Sequence, residues 1–289
     1  MDWQTRMLRA IEYLEGCLTA DWDPAEAGQR ANCSPFHFMR MFEVITGISP
    51  AEYLRRRRLS AAALDLSGGS EKVLDVSLNY GWDSPDAFAR AFKKEFGCLP
   101  SEARQNGARL HIYPPLAFTI ALKGDKAMEY RIEQTGEIRM TGLSRRFNSL
   151  DGSNFKEIPL FWEEVMKTDV CDRLWKASKQ ESLGVVGVCY DHDMKTGEFS
   201  YAIAIETPED LTLLPEGCVD ILVPASTWAK FTSRGPLHPN FQETIKRIYS
   251  EWFPASGREH AGTHEIEYYG THPDSASPDY WAEYWVPLK

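Results

Sequence analysis

The chain has 289 residues, 43% of them hydrophobic and 26% charged, and its formal net charge is −10. This length allows two ordinary domains with cores of their own. The acidic charge argues against a generally basic protein that coats nucleic acid. The sequence contains no run of about eighteen apolar residues, so no membrane-spanning helix is expected. Six cysteines without CxxC spacing indicate reduced thiols in a cytoplasmic protein.

The first hundred residues show helical periodicity together with the residues that start and stop helices. Ser34 and Ser84 are predicted N-caps, each followed by a proline at the first helical position, and Gly47 and Gly97 end the corresponding helices. The predicted helices cover 3–18, 24–31, 35–46, 50–66, 73–79 and 85–96.

Part of this helical region is written twice, at an offset of fifty residues. The matched positions are Ser34-Pro35, Phe38, Arg40, Phe42, Gly47 and Pro50 in the first copy, and Ser84-Pro85, Phe88, Arg90, Phe92, Gly97 and Pro100 in the second. Each copy has a short helix, a tight turn and a second helix, which is the layout of a helix-turn-helix. The sequence therefore predicts two such units joined by one long helix.

The phenylalanines of each second helix repeat every four residues and are expected to face the core, so that the opposite face points outward. Such a face fits a major groove, and an outward arginine can contact guanine with two hydrogen bonds. The same spacing is also compatible with a two-lobed helical bundle that never contacts DNA. Four consecutive arginines, 55–58, point in different directions on a helix, so at most two of them can face phosphates.

After about residue 104 the pattern changes to strands and amphipathic helices. EYRIEQ and EIRMTGLSRRF are predicted to pair as neighbouring strands, followed by a helix in FKEIPLFWEEVMKTD and strands in LGVVGVCY and FSYAIAIE. The order then repeats with VDILVPAS, TWAKFTSRG, a helix in PNFQETIKRIYSEWF, HEIEYYG and AEYWVPL. The fold prediction is a multi-domain chain, in which an all-α double helix-turn-helix domain precedes an α+β domain of two β-β-α-β-β pseudo-repeats.

The text SPFHFMRMFEVITGISPAEYLRRRRLSAAALDL, and still more VLDVSLNYGWDSPDAFARAFKKEFGCLPSEAR, resembles the DNA-binding domain of the AraC/XylS transcription regulators. This resemblance implies a regulator that contacts double-stranded promoter DNA and RNA polymerase. Asp86 either accepts a hydrogen bond from a cytosine amino group or caps its helix. The candidate DNA-binding residues are Phe36, Met39, Arg40, Arg55, Pro85, Asp86, Ala87, Arg90 and Lys94.

The stretches YPPLAFTIALKGDKAMEYRIEQTGEIRMTG, LGVVGVCYD and EYWVPL resemble GyrI-like effector-binding domains, which follow an AraC-type domain in regulators of the right-origin-binding (Rob) type. The resemblance implies a cleft for small, lipophilic or cationic molecules and assigns a carboxylate to Glu283. Strand alternation places Glu283 on one face with Trp281 and Trp285, a suitable environment for a cation. The candidate effector-binding residues are Trp162, Tyr201, Trp228, Tyr269, Glu283 and Trp285.

The alternative hypothesis is a GyrI-like hydrolase or a drug-sequestering protein, in which Glu283 with Tyr201 or Tyr269 positions water. No nucleophile motif or phosphate loop supports it, and we expect no catalytic residue and no cofactor. His260 and His264 lack the glutamate of HExxH, so no metal is expected. The predicted boundaries are 1–106 for the DNA-binding domain, 107–127 for a linker and lead-in strand, and 128–289 for the effector-binding domain; no membrane partner is expected.

Overall fold

The computed structural model describes residues 3–68, 71–104, 110–117, 127–149, 153–178, 182–193, 196–270 and 274–289. The described N-terminal part is helical, as predicted. Its helices are α1 (Trp3–Gly16), α2 (Pro24–Arg30), α3 (Pro35–Thr46), α4 (Pro50–Gly68), α5 (Val73–Asn79), α6 (Pro85–Phe96) and α7 (Pro100–Ala103). Helices α2 and α3 form the first helix-turn-helix unit, and α5 and α6 form the second.

The C-terminal part contains the two predicted β-β-α-β-β repeats in the predicted order. The first has β1 (Tyr130–Thr135), β2 (Ile138–Asn148), α8 (Asn154–Met166), α9 (Val170–Ala177), β3 (Val186–Tyr190) and β4 (Glu198–Glu206). The second has β5 (Val219–Val223), β6 (Ser226–Arg234), α10 (Leu237–Arg247), α11 (Phe253–Ser256), β7 (Glu265–Tyr268) and β8 (Trp281–Leu288). Helix α9 was not predicted, and a π-helical turn at Ile248–Trp252 joins α10 to α11.

All described strands form one antiparallel sheet in the order β1-β6-β8-β7-β3-β4-β2-β5. Strands β3, β4 and β2 mirror β7, β8 and β6 about the β7–β3 pair. The predicted pairing of β1 with β2 is wrong: β1 pairs with β6, and β2 pairs with β4 and β5. The first strand of each repeat thus adds to the outer edge of the other repeat, and the pairing of β3 with β7 joins the two repeats into one sheet.

The two helix-turn-helix units differ in what their cores contact. Phe88 and Phe92 pack with residues of α4 and α5 in a core that belongs to the second unit. Phe38 and Phe42 lie instead in a core that they share with Phe231 and other residues of the C-terminal sheet and α10. The first unit is therefore packed against the C-terminal part, whereas the second unit has its own core.

The segment that follows the helices is partly described. Residues 110–117 form no helix or strand, but the backbone N–H of Tyr113 donates to the Ser60 hydroxyl at 2.9 Å and that of Leu116 donates to the Tyr53 hydroxyl at 3.1 Å. These bonds fix the segment on α4. The remainder of the predicted linker, at 107–109 and 118–126, lies outside the described residues.

Gly142 in the middle of β2 provides a test of the sheet. A Cβ at this position would overlap the carbonyl oxygen of Ile203 and lie 2.5 Å from the Cα of Ala204, whereas a Cβ on Gly136 would meet nothing within 4 Å. We expect Gly142→Ala to lower the free energy of unfolding by about 1–3 kcal/mol, the usual cost of overpacking. Urea unfolding measures the change, and an equally small effect of Gly142→Ala and the control Gly136→Ala would contradict it.

Candidate functional site

Helices α3 and α6 begin and end in the same way. The side-chain oxygens of Ser34 and Ser84 accept hydrogen bonds from the backbone N–H groups of His37 and Ala87, each at 3.2 Å. Gly47 and Gly97 close the two helices in the left-handed conformation, with φ of 78° and 77°. Capping therefore confirms the predicted ends of both helices, and it follows the duplicated sequence.

The outward face of α6 is available to solvent. Phe88 and Phe92 are fully buried, and on the opposite face Asp86, Arg90 and Lys94 are exposed, with Ala87 half-buried; Pro85 is exposed at the first position of the helix. Because Ser84 supplies the capping oxygen, Asp86 lies in the first turn with its side chain in solvent. Four of the candidate DNA-binding residues thus lie together on one accessible helix face, and a fifth, Pro85, lies at the start of the same helix.

The corresponding face of α3 is buried, so the expectation that it points into solvent is wrong. Phe36 is 4% exposed, Met39 is 1% exposed, and the side chain of Arg40 is 10% exposed. The reason is that the C-terminal sheet covers this face. The Phe36 ring lies 3.7 Å from the ring of His192 and 5.2 Å from that of Phe199, measured between centroids.

The run of four arginines on α4 is largely engaged by acids and carbonyl groups. Arg55 pairs with Glu52 at 2.7 Å and with Glu95 at 2.6 Å, which leaves its side chain 34% exposed. Arg57 pairs with Glu15, and Arg58 donates to the carbonyl oxygen of Cys17. The run therefore mainly makes ion pairs and hydrogen bonds within the helical part. Of its four arginines, only Arg55 was a candidate DNA-binding residue.

The sheet presents an acidic–tyrosine cluster to α3, formed by Glu265, Glu267, Tyr201, Tyr249, Tyr269 and Tyr284. Strand alternation places Glu265 and Glu267 on the same face of β7. The hydroxyl groups of Tyr201 and Tyr269 donate to Glu267 at 2.7 and 2.6 Å, and Tyr249 donates to Glu265 at 2.7 Å. Two carboxylates are thus surrounded by aromatic rings at the centre of the sheet.

Arg40 inserts into this cluster. Its Nη1 lies 3.3 Å from Oε2 of Glu265, and its Nη2 lies 3.7 Å from Oε1 of Glu267. The guanidinium carbon lies 5.3 Å from the centre of the Tyr284 ring, a cation–π distance, and Nη1 also approaches the Cys189 sulfur at 3.6 Å. A residue of the N-terminal part therefore supplies a counter-charge that the two carboxylates of the C-terminal part share.

Electrostatics holds this arrangement in its charged form. Burial alone raises the pKa of Glu265, but the Arg40 charge and the hydrogen bonds from His260 and Tyr249 hold it well below its usual range. Burial would lower the pKa of Arg40, yet the charge of Glu265 raises it above its usual value. Burial and the charge of Glu267 likewise raise the pKa of Tyr201, which stays a hydrogen-bond donor.

Arg40 supplies one positive charge to two carboxylates, and the pairing is also incompletely matched in hydrogen bonds. Among the described residues, Nε of Arg40 and Oε2 of Glu265 are buried polar atoms without a hydrogen-bond partner. Leaving a buried polar group unsatisfied costs about 1–3 kcal/mol. The cluster therefore has acceptor capacity that Arg40 does not use.

Of the predicted effector-binding residues, Tyr201 and Tyr269 belong to this cluster, and Trp162 lies beside it. Trp162 on α8 donates its Nε1–H to the Tyr201 hydroxyl at 2.9 Å, and its ring packs edge-on against Tyr269 at 5.2 Å. Sequence reasoning missed Glu265, Glu267, Tyr249 and Tyr284. The available signal was the alternation in HEIEYYG, which places Glu265, Glu267 and Tyr269 on one side.

The other three predicted residues, Trp228, Glu283 and Trp285, lie on the opposite face of the sheet. Glu283 already accepts from Arg131 at 2.5 Å and from Trp285 at 2.8 Å, and the Lys230 ammonium lies 3.5 Å from the centre of the Trp285 ring. The structure therefore does not bring Glu283 together with Tyr201 or Tyr269, the combination that the hydrolase hypothesis requires. Within the described residues no group of three His, Cys, Asp or Glu could hold a metal ion.

Comparison with known proteins now identifies the two parts. A family model described as an integron-associated effector-binding protein matches residues 131–288, more than half of the chain, and a helix-turn-helix domain model matches residues 28–106. The chain belongs to the family of integron-associated effector-binding proteins. The two matches confirm that this effector-binding protein combines an AraC-type helix-turn-helix domain with a GyrI-like domain.

Individual relatives match one part or the other. Over 106 residues the effector-binding protein is 37% identical to the transcriptional regulator Rob of Salmonella typhimurium, spanning 36% of this chain and 37% of Rob. It is 36% identical over 91 residues to the HTH-type transcriptional activator AarP of Providencia stuartii, spanning 32% of this chain and 67% of AarP. The structure of an integron cassette protein from Vibrio cholerae matches 55% of this chain and 95% of its own, with 17% identity and a TM-score of 0.41. In the part of the chain that the structure describes, no helix is both long and apolar enough to span a membrane.

The buried histidines beside α3 make stability depend on pH. Burial lowers the pKa of His192 to about 4 and holds that of His37 well below its usual value. The unfolded chain binds a proton on His192 below about pH 6.5, whereas the folded chain does not until about pH 4, so the free energy of unfolding falls as the pH drops through this window. We expect the pH dependence of wild type to be steeper than that of His192→Gln by about 1.4 kcal/mol per pH unit.

Urea unfolding at several pH values between 4.5 and 6 measures this difference. His111→Gln provides the control, since it replaces an exposed histidine by the same residue. Parallel curves for wild type and His192→Gln would show that the His192 ring is protonated in the folded protein as readily as in the unfolded chain.

Proposed function

We propose that this effector-binding protein is a sequence-specific transcription regulator whose C-terminal domain binds a small lipophilic cation. The observation that carries the proposal is the cluster of one buried and one partly buried carboxylate, surrounded by tyrosines, on the same chain as two helix-turn-helix units. The protein acts in the cytoplasm and binds promoter DNA through α3 and α6. At the promoter it contacts RNA polymerase. The relatives Rob and AarP, named as transcriptional regulators, support this for the DNA-binding part.

The face of α6 supports the contact with DNA. Arg90 is exposed, and Asp86 lies one helical turn before it on the same face. Lys94, one turn further along, is placed for a phosphate. Because residues four apart share a helix face, this row fits the length of a major-groove contact. Met39, Phe36 and Arg40 are the corresponding residues proposed for α3.

The acidic–tyrosine cluster supports a cationic effector. Glu267 is the more accessible carboxylate, with its side chain 13% exposed, and the rings of Tyr201, Tyr269 and Trp162 surround it. A cation attracted by a partly desolvated carboxylate gains further from aromatic faces. Glu283, the carboxylate proposed from the sequence, is the second candidate, although Arg131 already neutralises it.

The DNA contact predicts a loss of affinity in Arg90→Ala. A bidentate arginine–guanine contact contributes about 1–3 kcal/mol, so the dissociation constant should rise roughly 5- to 150-fold. The measurement is a footprint and titration on the DNA upstream of the protein's own gene, at low salt. Arg139, 79% exposed on β2 in the C-terminal part, gives the control Arg139→Ala. Equal affinities of Arg90→Ala and Arg139→Ala would contradict a reading role of α6.

The effector site predicts a loss of cation binding in Glu267→Gln. Two unit charges about 6 Å apart attract by about 3 kcal/mol at an effective dielectric constant of about 20, so affinity should fall roughly 10- to 100-fold. Calorimetric titration with tetraphenylphosphonium measures it, and Glu283→Gln on the opposite face is the matched control. A loss confined to Glu283→Gln would move the site to the face that carries Trp228 and Trp285.

A further inference from the structure

Helix α3 occupies the acidic–tyrosine cluster as a ligand would. Arg40 supplies the cation, its guanidinium lies over the Tyr284 ring, and it is shared between Glu265 and Glu267. Phe36 of the same helix supplies an apolar contact, because its ring lies against the rings of His192 and Phe199. A cation attached to apolar groups is the same chemistry that the proposed effector presents.

The side chains that make this contact are those proposed for base contacts. A helix whose Phe36 and Met39 are at most 4% exposed cannot place them in a major groove. His37 adds to the burial by stacking on His260 at 4.1 Å. In this arrangement α3 is withheld from DNA, while the equivalent face of α6 is exposed.

The contact is also suited to exchange. Oε2 of Glu265 has no exposed area and no hydrogen-bond partner among the described residues, although it lies 3.3 Å from a guanidinium nitrogen. Nε of Arg40 is likewise buried and has no hydrogen-bond partner among the described residues. A separate cation that fits the two carboxylates better than Arg40 would therefore displace it, and the displaced helix would regain its outward face.

We propose that α3 is an internal competitor of the effector, so that the cluster holds either Arg40 or the effector cation, and only the second state offers both reading helices to DNA. This inference rests on the proposed function. The two binding events are then coupled with the same factor in each direction. The effector raises the affinity for DNA, and DNA raises the affinity for the effector.

A reversible cross-link tests the inference on the full chain. A Cβ on Gly262 would lie 3.4 Å from the Cβ of Ser34, the residue that caps α3. This is close to the separation of about 3.5–4.5 Å found between Cβ atoms in disulfides. Ser34→Cys combined with Gly262→Cys, in a Cys33→Ser background that removes the neighbouring thiol, locks α3 on the sheet when oxidised and releases it when reduced.

The oxidised protein should bind both tetraphenylphosphonium and the upstream DNA more weakly than the reduced protein, by roughly 5- to 150-fold. Its footprint should shrink to the single major groove that α6 can reach. The comparison is between the oxidised and reduced forms of the same protein, so any effect of the substitutions themselves is present in both. The single variant Ser34→Cys, which cannot form the cross-link, controls for the effect of the oxidant. Unchanged binding of both ligands after oxidation overturns the inference while the proposed function stands. Failure of the wild-type protein to bind either ligand overturns both.

A second variant covers the case in which the cross-link does not form. His192→Ala removes the ring against which Phe36 packs, and it changes neither a proposed DNA contact nor a residue of the acidic–tyrosine cluster. It should bind tetraphenylphosphonium and DNA more tightly than wild type, whereas His111→Ala should not. Wild-type affinity of His192→Ala for both ligands overturns the inference.

Discussion

The burial of Arg40 against Glu265 and Glu267 determines how the rest of the structure is arranged. A buried carboxylate without a counter-charge is strongly destabilising, so the sheet needs a cation on this face. That cation comes from α3, and its insertion brings Phe36 and His37 into contact with the C-terminal part. Tyr284, over which the Arg40 guanidinium lies, belongs to the apolar core that the first helix-turn-helix unit shares with the sheet, so the ionic contact and this core together hold α3 in place.

The duplicated unit shows how one sequence motif acquires two environments. Arg40 and Arg90 occupy equivalent positions after equivalent serine caps, yet one side chain is 10% exposed and the other lies in solvent. Capping and helix length are local properties, so duplication preserves them. Burial depends on what packs against the outer face, and only α3 faces a pair of carboxylates.

This difference also marks what the sequence could predict. Serine caps, the periodicity of Phe88 and Phe92, and the order of the strands depend on neighbours in the chain, and they predicted the helices and the two repeats. Strand exchange between repeats pairs β1 with a strand about a hundred residues away, and no local pattern distinguishes that partner from β2. Alternation likewise placed Glu283 with Trp285 correctly on one face. Strand alternation does not show which face of the sheet α3 covers. For this reason Glu265 and Glu267 were not among the predicted effector-binding residues.

The choice between an internal and an external cation sets a limit on regulation. A ligand shifts an equilibrium only by the difference in its affinity for the two states. Because Arg40 and an effector would use the same carboxylates, most of the attraction that either one gains is lost by the other, and the net coupling is a small difference between large terms. The unsatisfied Nε of Arg40 lowers the free-energy cost of releasing Arg40, because water can bond to this group once the side chain leaves the cluster. Since the exchange takes place at buried charges, salt should weaken it less than it weakens the phosphate contacts of α6.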